Sequence, residues 1–320
     1  MIYNGLVSVG ILAILIFVHE LGHFLVAKLC RVGVLEFAIG FGPKIFSFKW
    51  GTTRYSLRAI PLGGYVRMVG DDPRMSSPSS VPEDLSIEPV RELDEDEKKL
   101  LEDKSKWFLN KGYFSKVAIV FAGPLFNIIF AIMCSVSVVY FYGISIPQDK
   151  SIVGGVIPGS PADKSGIKEG DNVYEINGSK IEKWEELFDQ VSKSNGTPLN
   201  IRVKRGDSED LSLIVTPEPI NPEIAVMEGM NSEIAAKTFR VGIAASATQE
   251  MVSFKEALVA GTLGAWYWTK MTIKGIVALI KRQISHKNIG GPIAIFQTAA
   301  DTASKGADRV LSFMMMLSIS

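Results

Sequence analysis

Residues 5–29 read GLVSVGILAILIFVHELGHFLVAKL, an almost wholly apolar run from Gly5 to Leu29. At about 1.5 Å per residue, a helix of this length crosses the hydrocarbon core of a bilayer, which is about 30 Å thick. A cleaved signal peptide is the alternative, but the basic start and small-residue cleavage site that it needs are missing. The run therefore predicts a first transmembrane helix over residues 1–30.

An HExxH pattern lies within this helix, with His19, Glu20 and His23 as its defining residues. Residues four apart share one helical face, so His19 and His23 can offer ring nitrogens to one metal ion about 2 Å away. Glu20 lies about 100° round the helix, where its carboxylate can accept a proton from a metal-bound water that attacks a peptide carbonyl. Ionisable groups in lipid persist mainly where they are paired, metal-bound or functional, which favours a metal site over a chance match.

Zinc is the predicted metal, because neutral imidazoles suit it and hydrolysis needs no redox change. Between the two histidines, Gly22 lets a substrate backbone or another helix approach the metal side closely. The sequence leaves both of these roles open.

A second apolar run, Val117 to Tyr142, predicts another transmembrane helix over residues 116–146. Residues 31–70, between the two runs, are rich in Lys and Arg, which marks the cytoplasmic side and places the N-terminus outside. Within them, Lys44–Trp50 and Arg54–Ile60 are joined through Gly51 and predict a membrane-associated β-hairpin segment. Residues 71–115 are polar and acidic, and we expect a solvated cytoplasmic loop there.

Residues 152–217 combine strand-like runs and turns with one amphipathic helical stretch near Trp184. The order of three stretches, Gly155–Ala162, Gly166–Asp171 and Glu175–Gly178, resembles a bacterial-type PDZ domain. This resemblance implies an extracytoplasmic PDZ domain over residues 147–245.

The peptide-binding loop comes last in permuted PDZ domains. A matching stretch consists of Phe239, Arg240, Val241, Gly242 and Ile243. An ordinary loop at the end of a strand would read the same.

A third apolar stretch, Phe254 to Arg282, is interrupted and flanked by basic residues. Lys270 and Lys274 lie one helical turn apart, which favours a helix lying in the membrane interface over one that crosses it. We therefore expect amphipathic interfacial helices over residues 246–307. The apolar residues 308–320 are about half the length of a span, and they predict the start of an incomplete third transmembrane helix.

Four stretches resemble, in the same order, the site-2 protease family, and most closely its bacterial RseP branch. They are Phe17–Phe24, Gly40–Lys44, Pro61–Val66 and Ala122–Asn127. The resemblance implies a zinc protease of the bacterial inner membrane that cuts substrate helices within the bilayer. Such substrates are commonly anti-sigma factors or signal-peptide remnants that another protease has already trimmed. It also implies that the PDZ region gates access and that an edge of the β-segment holds unwound substrate.

The resemblance assigns two further features of the site. Asn127 resembles a motif asparagine that bonds the substrate backbone near the metal, with bonding between helices as the alternative. The family takes its third zinc ligand from a Leu-Asp-Gly motif on a later span, and this sequence contains no such motif. The remaining histidine, His286, lies in a basic polar stretch and is not expected to be a ligand. Because catalytic zinc typically has three protein ligands, we expect the 320 residues to be a truncated form of a longer protein.

The sequence as a whole predicts a polytopic α-helical membrane protein with a membrane-associated β-hairpin and an inserted extracytoplasmic PDZ (α+β) domain. A formal net charge of zero gives no basis for nucleic-acid binding. The expected partners are single-span membrane proteins and the lipid bilayer. Another hypothesis is a catalytically silent membrane adaptor whose PDZ domain binds exposed chain ends. A transporter or channel is a third, although it would not need a PDZ domain.

Overall fold

The computed structural model describes residues 2–71, 94–206, 209–221, 238–283 and 291–319. The helices in chain order are α1 (Ile2–Leu29), α2 (Glu95–Glu102), α3 (Tyr113–Tyr142), α4 (Pro161–Lys164), α5 (Trp184–Lys193), α6 (Phe254–Ile280), α7 (Pro292–Ala303) and α8 (Ala307–Ile319). The strands are β1 (Val34–Trp50), β2 (Thr53–Met68), β3 (Ile144–Pro147), β4 (Val153–Val156), β5 (Asn172–Ile176), β6 (Ser179–Lys180), β7 (Leu199–Arg205), β8 (Glu209–Val215), β9 (Glu218–Pro219), β10 (Phe239–Arg240), β11 (Ile243–Ala245) and β12 (Ala247–Glu250).

The chain divides into two compact units. The first comprises Met1–Val138, Val259–Thr269 and Gly290–Ser320, and the second comprises Val139–Leu258 and Lys270–Ile289. Two of the described helices are long and apolar enough to cross a membrane, over Val7–Leu29 and Tyr113–Tyr142. These are the two apolar helices that the sequence predicts.

Glycines bring the helices of the first unit into close contact. A Cβ atom added at Gly22 of α1 would lie 2.4 Å from the backbone oxygen of Ala122 in α3. One added at Gly261 of α6 would lie 2.6 Å from the Cα atom of Val136 in α3. Small residues allow this approach of backbones, on which helix packing in membranes depends. For Gly22 the structure thus supports the packing role.

β1 and β2 form an antiparallel hairpin that turns at Gly51, where φ is +61°. The hairpin predicted at residues 44–60 is confirmed, and the pairing extends further, to residues 34–68. Both strands bend, so Phe37 lies opposite both Tyr55 and Val66. The rings of Phe37 and Tyr55 meet the Phe24 ring of α1, with centroids 5.3 and 5.8 Å apart. An aromatic cluster thus fixes the sheet against the helix that carries the HExxH pattern.

The sheet also contains a buried polar cluster around Glu36, whose side chain accepts hydrogen bonds from Ser56 and Arg58. Burial alone would raise the pKa of this carboxyl, but the hydrogen bonds and the nearby guanidinium hold the pKa below its usual value. Burial, and after it the nearby Glu36 carboxylate, raises the pKa of Tyr65. Because the buried Glu36 carboxylate is hydrogen-bonded and paired with the Arg58 guanidinium, its burial in the sheet is compensated.

The structure differs from the expected solvated loop over the described residues 94–112. Asp94 caps α2, and Leu100, which is 4% exposed, packs with Leu35 and Val69. The amide of Phe108 donates to the carbonyl of Val69 at 2.7 Å. The few apolar residues of this polar segment did not predict packing. Their apolar partners lie in β1 and just after β2, far away in the sequence.

The second unit contains a four-stranded sheet of order β6-β5-β7-β8, with α5 beside it and shorter strand pairs β11-β4 and β10-β9. The helix predicted near Trp184 is confirmed as α5. Val153, Ile176, Leu187 and Ile201 belong to one buried apolar core. This unit is an α+β arrangement with its own core, as the sequence pattern indicates.

A buried ion pair ties two parts of this second unit together. Asp171 is fully buried, and Arg205 donates to its two carboxylate oxygens, each at 2.8 Å. Burial opposes ionisation of Asp171, but the guanidinium lowers its pKa below the usual value. Breaking this pair by substituting one partner should destabilise the second unit, because the remaining group would lose its counter-charge.

The stretch predicted as an interfacial helix is α6, one continuous helix of 27 residues. It begins with a capping box in which Ser253 and Glu256 satisfy each other's backbone amides. Its placement in the interface stays a prediction.

Candidate metal centre

The two histidines of the HExxH pattern direct their ring nitrogens at each other. His19 Nε2 and His23 Nε2 are 3.2 Å apart, and the rings are tilted by 78°. Two ligands at about 2.0–2.1 Å from one tetrahedral zinc ion are about 3.3 Å apart. The pair therefore has the spacing that a shared zinc ion requires.

The other nitrogen of each ring has a hydrogen-bond partner on α3. His23 Nδ1 donates to the carbonyl oxygen of Ile119 at 2.7 Å, which leaves the Nε2 lone pair for a metal. His19 Nδ1 is 3.2 Å from the amide nitrogen of Asn127, whose Oδ1 is buried without a partner among the described residues. We assign this amide with its two atoms exchanged by a half-turn, so that Oδ1 accepts a hydrogen bond from His19 Nδ1–H. Both imidazoles are then fixed in the tautomer that zinc binds.

A glycine on α3 leaves room at the point where the two nitrogens converge. A Cβ atom added at Gly123 would lie 2.4 Å from His23 Nε2 and 2.7 Å from His19 Nε2. Both distances are far too short for a carbon atom, so any side chain at this position would collide with the two rings. Gly123 therefore keeps open the space that a shared ion would fill, and the residues fit a zinc ion.

Glu20 is half-buried and lies beside the hairpin, where an added Cβ at Gly64 of β2 would come within 3.0 Å of its Cγ. Glu20 and His23 also line a pocket of about 200 Å³. The carboxylate thus faces space next to the histidine pair, as a general base requires.

No cluster of three or more His, Cys, Asp or Glu that could hold a metal occurs in the part of the chain that the structure describes. His286 lies outside the described residues. Close to the histidine pair, Ser318 of α8 donates from its Oγ to the carbonyl oxygen of Asn127 at 2.7 Å. The last described turn of α8 therefore lies against the part of α3 that orients His19.

Sequence reasoning missed Gly123, Ile119 and Ser318 as parts of this site. Gly123 falls in a stretch quoted for the family resemblance, but nothing in the sequence shows that it faces the histidines. Ile119 contributes only its backbone carbonyl, which no side-chain pattern can indicate.

The five residues predicted as a peptide-binding loop lie in the second unit. Phe239 and Arg240 form β10, and Ile243 begins β11, which pairs with β4. Val241 is 3% exposed in the core, and Gly242 has a φ of +83° between the two strands. This loop therefore belongs to a separate candidate site.

Comparisons with known proteins bear on the metal centre. The model of peptidase family M50 matches residues 7–320. The chain is 28% identical to the zinc metalloprotease RasP of Geobacillus kaustophilus over 95% of this chain and 81% of that one. It is also 28% identical to the regulator of sigma-W protease RasP of Bacillus subtilis, with the same coverage. A Brucella suis relative, whose name places it among the zinc metalloproteases, is 33% identical over 97% of this chain and 77% of its own length.

A solved structure resembles part of the chain more weakly. The PDZ domain of an SdrC-like protein from Listeria monocytogenes is 20% identical and covers 32% of this chain and 93% of its own, with a TM-score of 0.24. At this score the likeness does not define the fold of the second unit.

The chain belongs to peptidase family M50, the site-2 protease family. It is a zinc-dependent intramembrane metalloprotease and a membrane protein. Membership of this family favours the protease hypothesis over the two other hypotheses, a catalytically silent adaptor and a transporter or channel.

Proposed function

We propose that this protein cuts the membrane-spanning segments of single-span membrane proteins, with His19 and His23 as zinc ligands and Glu20 as general base. The convergence of His19 Nε2 and His23 Nε2 at 3.2 Å, over the space that Gly123 leaves open, carries the proposal. Its position in an apolar helix long enough to cross a membrane suits substrates that lie in the bilayer.

Zinc, when bound, supplies a Lewis acid that makes water nucleophilic near neutral pH. Glu20 accepts a proton from the attacking water and returns it to the amide nitrogen of the leaving fragment as the carbon–nitrogen bond breaks. The products are one new carboxyl end and one new amino end, so protons and atoms balance. Asn127 holds His19 in position, a role that we propose in place of direct contact with the substrate backbone.

A peptide bond inside a helix has to leave the helix before a nucleophile can reach it. β2 offers an edge for the unwound chain, because residues 60–68 pair only with the first part of β1 within the described part of this sheet. Gly64 lies on that edge next to Glu20. A substrate added as a further strand would therefore have its backbone beside the general base.

By the resemblance, residues 147–245 form an extracytoplasmic PDZ domain that gates access, with residues 239–243 in its peptide-binding loop. Anti-sigma factors or signal-peptide remnants, trimmed beforehand by another protease, are the proposed substrates in regulated intramembrane proteolysis. One relative is named as the regulator of sigma-W protease, which supports the first of these classes. We place the protein in the bacterial inner membrane, as a multi-pass protein with its N-terminus outside.

Glu20→Gln tests the function, because the substitution removes the base and keeps both histidines. In the full-length protein the variant should retain one zinc ion per chain and lose cleavage of a membrane-spanning substrate. Zinc is measured by mass spectrometry of the purified protein, and cleavage by the appearance of fragments in membranes. Cleavage at the wild-type rate would exclude Glu20 as the base.

A further inference from the structure

One row of the β1-β2 sheet carries two arginines, one on either side of a glutamate. Glu36 of β1 pairs with Arg54 on one side and with Arg67 on the other. Paired residues of neighbouring strands point to the same face of a sheet, so these three side chains share one face. The next row contains Phe37 and Tyr55, whose rings meet Phe24 of α1. Since successive residues alternate, the arginine row, formed by Arg54, Glu36 and Arg67, faces away from α1.

The arginine row carries positive charge that its neighbours do not neutralise. Glu36 forms its ion pair with Arg58, whose Nη2 lies 3.1 Å from the carboxylate. Neither Arg54 nor Arg67, both half-buried, forms an ion pair within the described parts of the chain. The Nε atoms of both are buried without a hydrogen-bond partner there. Because arginine does not lose its proton in proteins, these partly desolvated charges favour binding of an anion.

Arg54 lies at the level where α1 ends. The hydroxyl of the preceding residue, Thr53, accepts a hydrogen bond from the Lys28 ammonium at 2.7 Å and donates one to the carbonyl of Val34 at 2.8 Å. Lys28 is in the last turn of α1, which is long and apolar enough to cross a membrane. Arg54 is therefore next to the point where this helix leaves the hydrocarbon core.

Arg67 lies close to the level where α3 begins. Two residues further along, the carbonyl of Val69 accepts a hydrogen bond from the amide of Phe108 at 2.7 Å, and α3 starts soon afterwards, at Tyr113. Tyr113 is 74% exposed, and tyrosine is enriched where membrane helices meet the lipid headgroups. The end of α1 and the start of α3 thus place both arginines at one surface of the bilayer, where the lipid phosphates lie.

We propose that the arginine row binds the phosphate of an anionic phospholipid. Guanidinium groups bind phosphate oxygens through paired, charge-assisted hydrogen bonds, and basic groups at a membrane surface attract anionic lipids. Such a headgroup neutralises Arg54 and Arg67 together and holds the sheet at the membrane surface. Glu20 lies beside Gly64, on the face of the sheet turned toward α1, so the lipid does not contact the proposed base. The inference does not depend on the proposed cleavage reaction.

Native mass spectrometry of the full-length protein in detergent tests this site. The protein is mixed with equal amounts of phosphatidylglycerol and phosphatidylcholine that have identical acyl chains, so that the two lipids differ only in the headgroup. The wild type should retain phosphatidylglycerol preferentially. Arg54→Gln/Arg67→Gln removes both charges and should reduce this preference about 30-fold, because each basic residue near the surface contributes a factor of about five.

Lys98→Gln/Lys104→Gln is the matched control, because it removes two positive charges from exposed residues of the segment that precedes α3. It should keep the wild-type preference. Arg54→Lys/Arg67→Lys keeps both charges and should retain most of the preference, which separates a loss of charge from a loss of packing. The single Gln variants should each lose about fivefold, and they test the site if the double variant does not fold.

Two results with these variants would overturn the site. One is an unchanged preference in the Arg54→Gln/Arg67→Gln protein. The other is an equal loss in the Lys98→Gln/Lys104→Gln control, which would mean that only the net charge matters.

Competitors distinguish the lipid from other anions. Inorganic phosphate and a hexaglutamate peptide are each added at the concentration of the lipid, and neither should displace phosphatidylglycerol. Displacement by phosphate would identify a site for a free anion, and displacement by the peptide would identify a site for acidic protein segments. Either result would overturn the assignment to a lipid.

Discussion

Gly123→Ala adds one methyl group to the candidate metal centre without altering the proposed ligands, His19 and His23, or the proposed base, Glu20. The added Cβ would lie 2.4 Å from His23 Nε2 and 2.7 Å from His19 Nε2, and no real Cβ contact is that short. Either α3 has to move away by about half an ångström or more, or both imidazoles have to turn. Because each ring is also hydrogen-bonded to α3, such movement disturbs the second nitrogen of each histidine as well.

The expected magnitude follows from these contacts. Disturbing the outer partner of a single metal ligand typically weakens metal binding by about 10–100-fold. Here both ligands are affected and the ion's space is partly filled, so we expect zinc affinity to fall at least about 100-fold, or about 2.7 kcal/mol. Overpacking should also cost about 1–3 kcal/mol of folding stability.

Gly10→Ala is the matched control, because Gly10 lies in α1 and a Cβ added there meets nothing within 4 Å. Both substitutions replace a helical glycine by alanine and share the same gain in helix propensity, about 1 kcal/mol. Zinc affinity is measured by competition with a chelator on the full-length protein, and cleavage is followed in membranes. Gly10→Ala should match the wild type in both. Wild-type zinc affinity in Gly123→Ala would refute the location of the ion between the two Nε2 atoms.

Three further changes test other parts of the structure. His23→Ala should lower zinc content and cleavage together, and one zinc per chain retained in that variant would remove His23 from the coordination shell. Asn127→Leu should weaken zinc binding about 10–100-fold, as chelator competition would report, while Asn127→Asp keeps an acceptor for His19 and should bind zinc nearly as the wild type does. Asp171→Ala leaves Arg205 without its buried partner and should destabilise the second unit by about 3–5 kcal/mol, measured by hydrogen exchange of the β5 and β7 amides in the full-length protein. Because folding lowers the pKa of Asp171, the ion pair's contribution is complete above about pH 4 and is lost as the pH falls through the folded-state pKa. Exchange that is insensitive to the substitution, or to this pH range, would contradict that assignment.

The sequence was sufficient where the signal is local. An apolar run of 25 residues, from Gly5 to Leu29, predicts the helix of the HExxH pattern, and a spacing of four places His19 and His23 on one face. Both β-hairpin arms follow from short aromatic and β-branched runs around Gly51. In each case residues close together in the chain decide the outcome, since helical and strand periodicities are properties of the local backbone.

The sequence did not predict features that depend on contacts between residues far apart in the chain. Residues 94–112 read as a polar loop, because the apolar surface that covers Leu100 comes from residues far away in the chain. The bends in β1 and β2, which leave the edge near Gly64 beside Glu20, likewise depend on pairing between distant segments.

In the candidate site, too, local features were predictable from the sequence and long-range contacts were not. The sequence by itself determined which side chains could bind zinc and act as a base. Only the tertiary structure decided that α3 supplies the acceptors at Ile119 and Asn127 and the open space at Gly123, about a hundred residues further along the chain. The physical reason is that two imidazoles on one helix turn are free to point in several directions. Packing of a second helix selects the one arrangement in which both lone pairs meet.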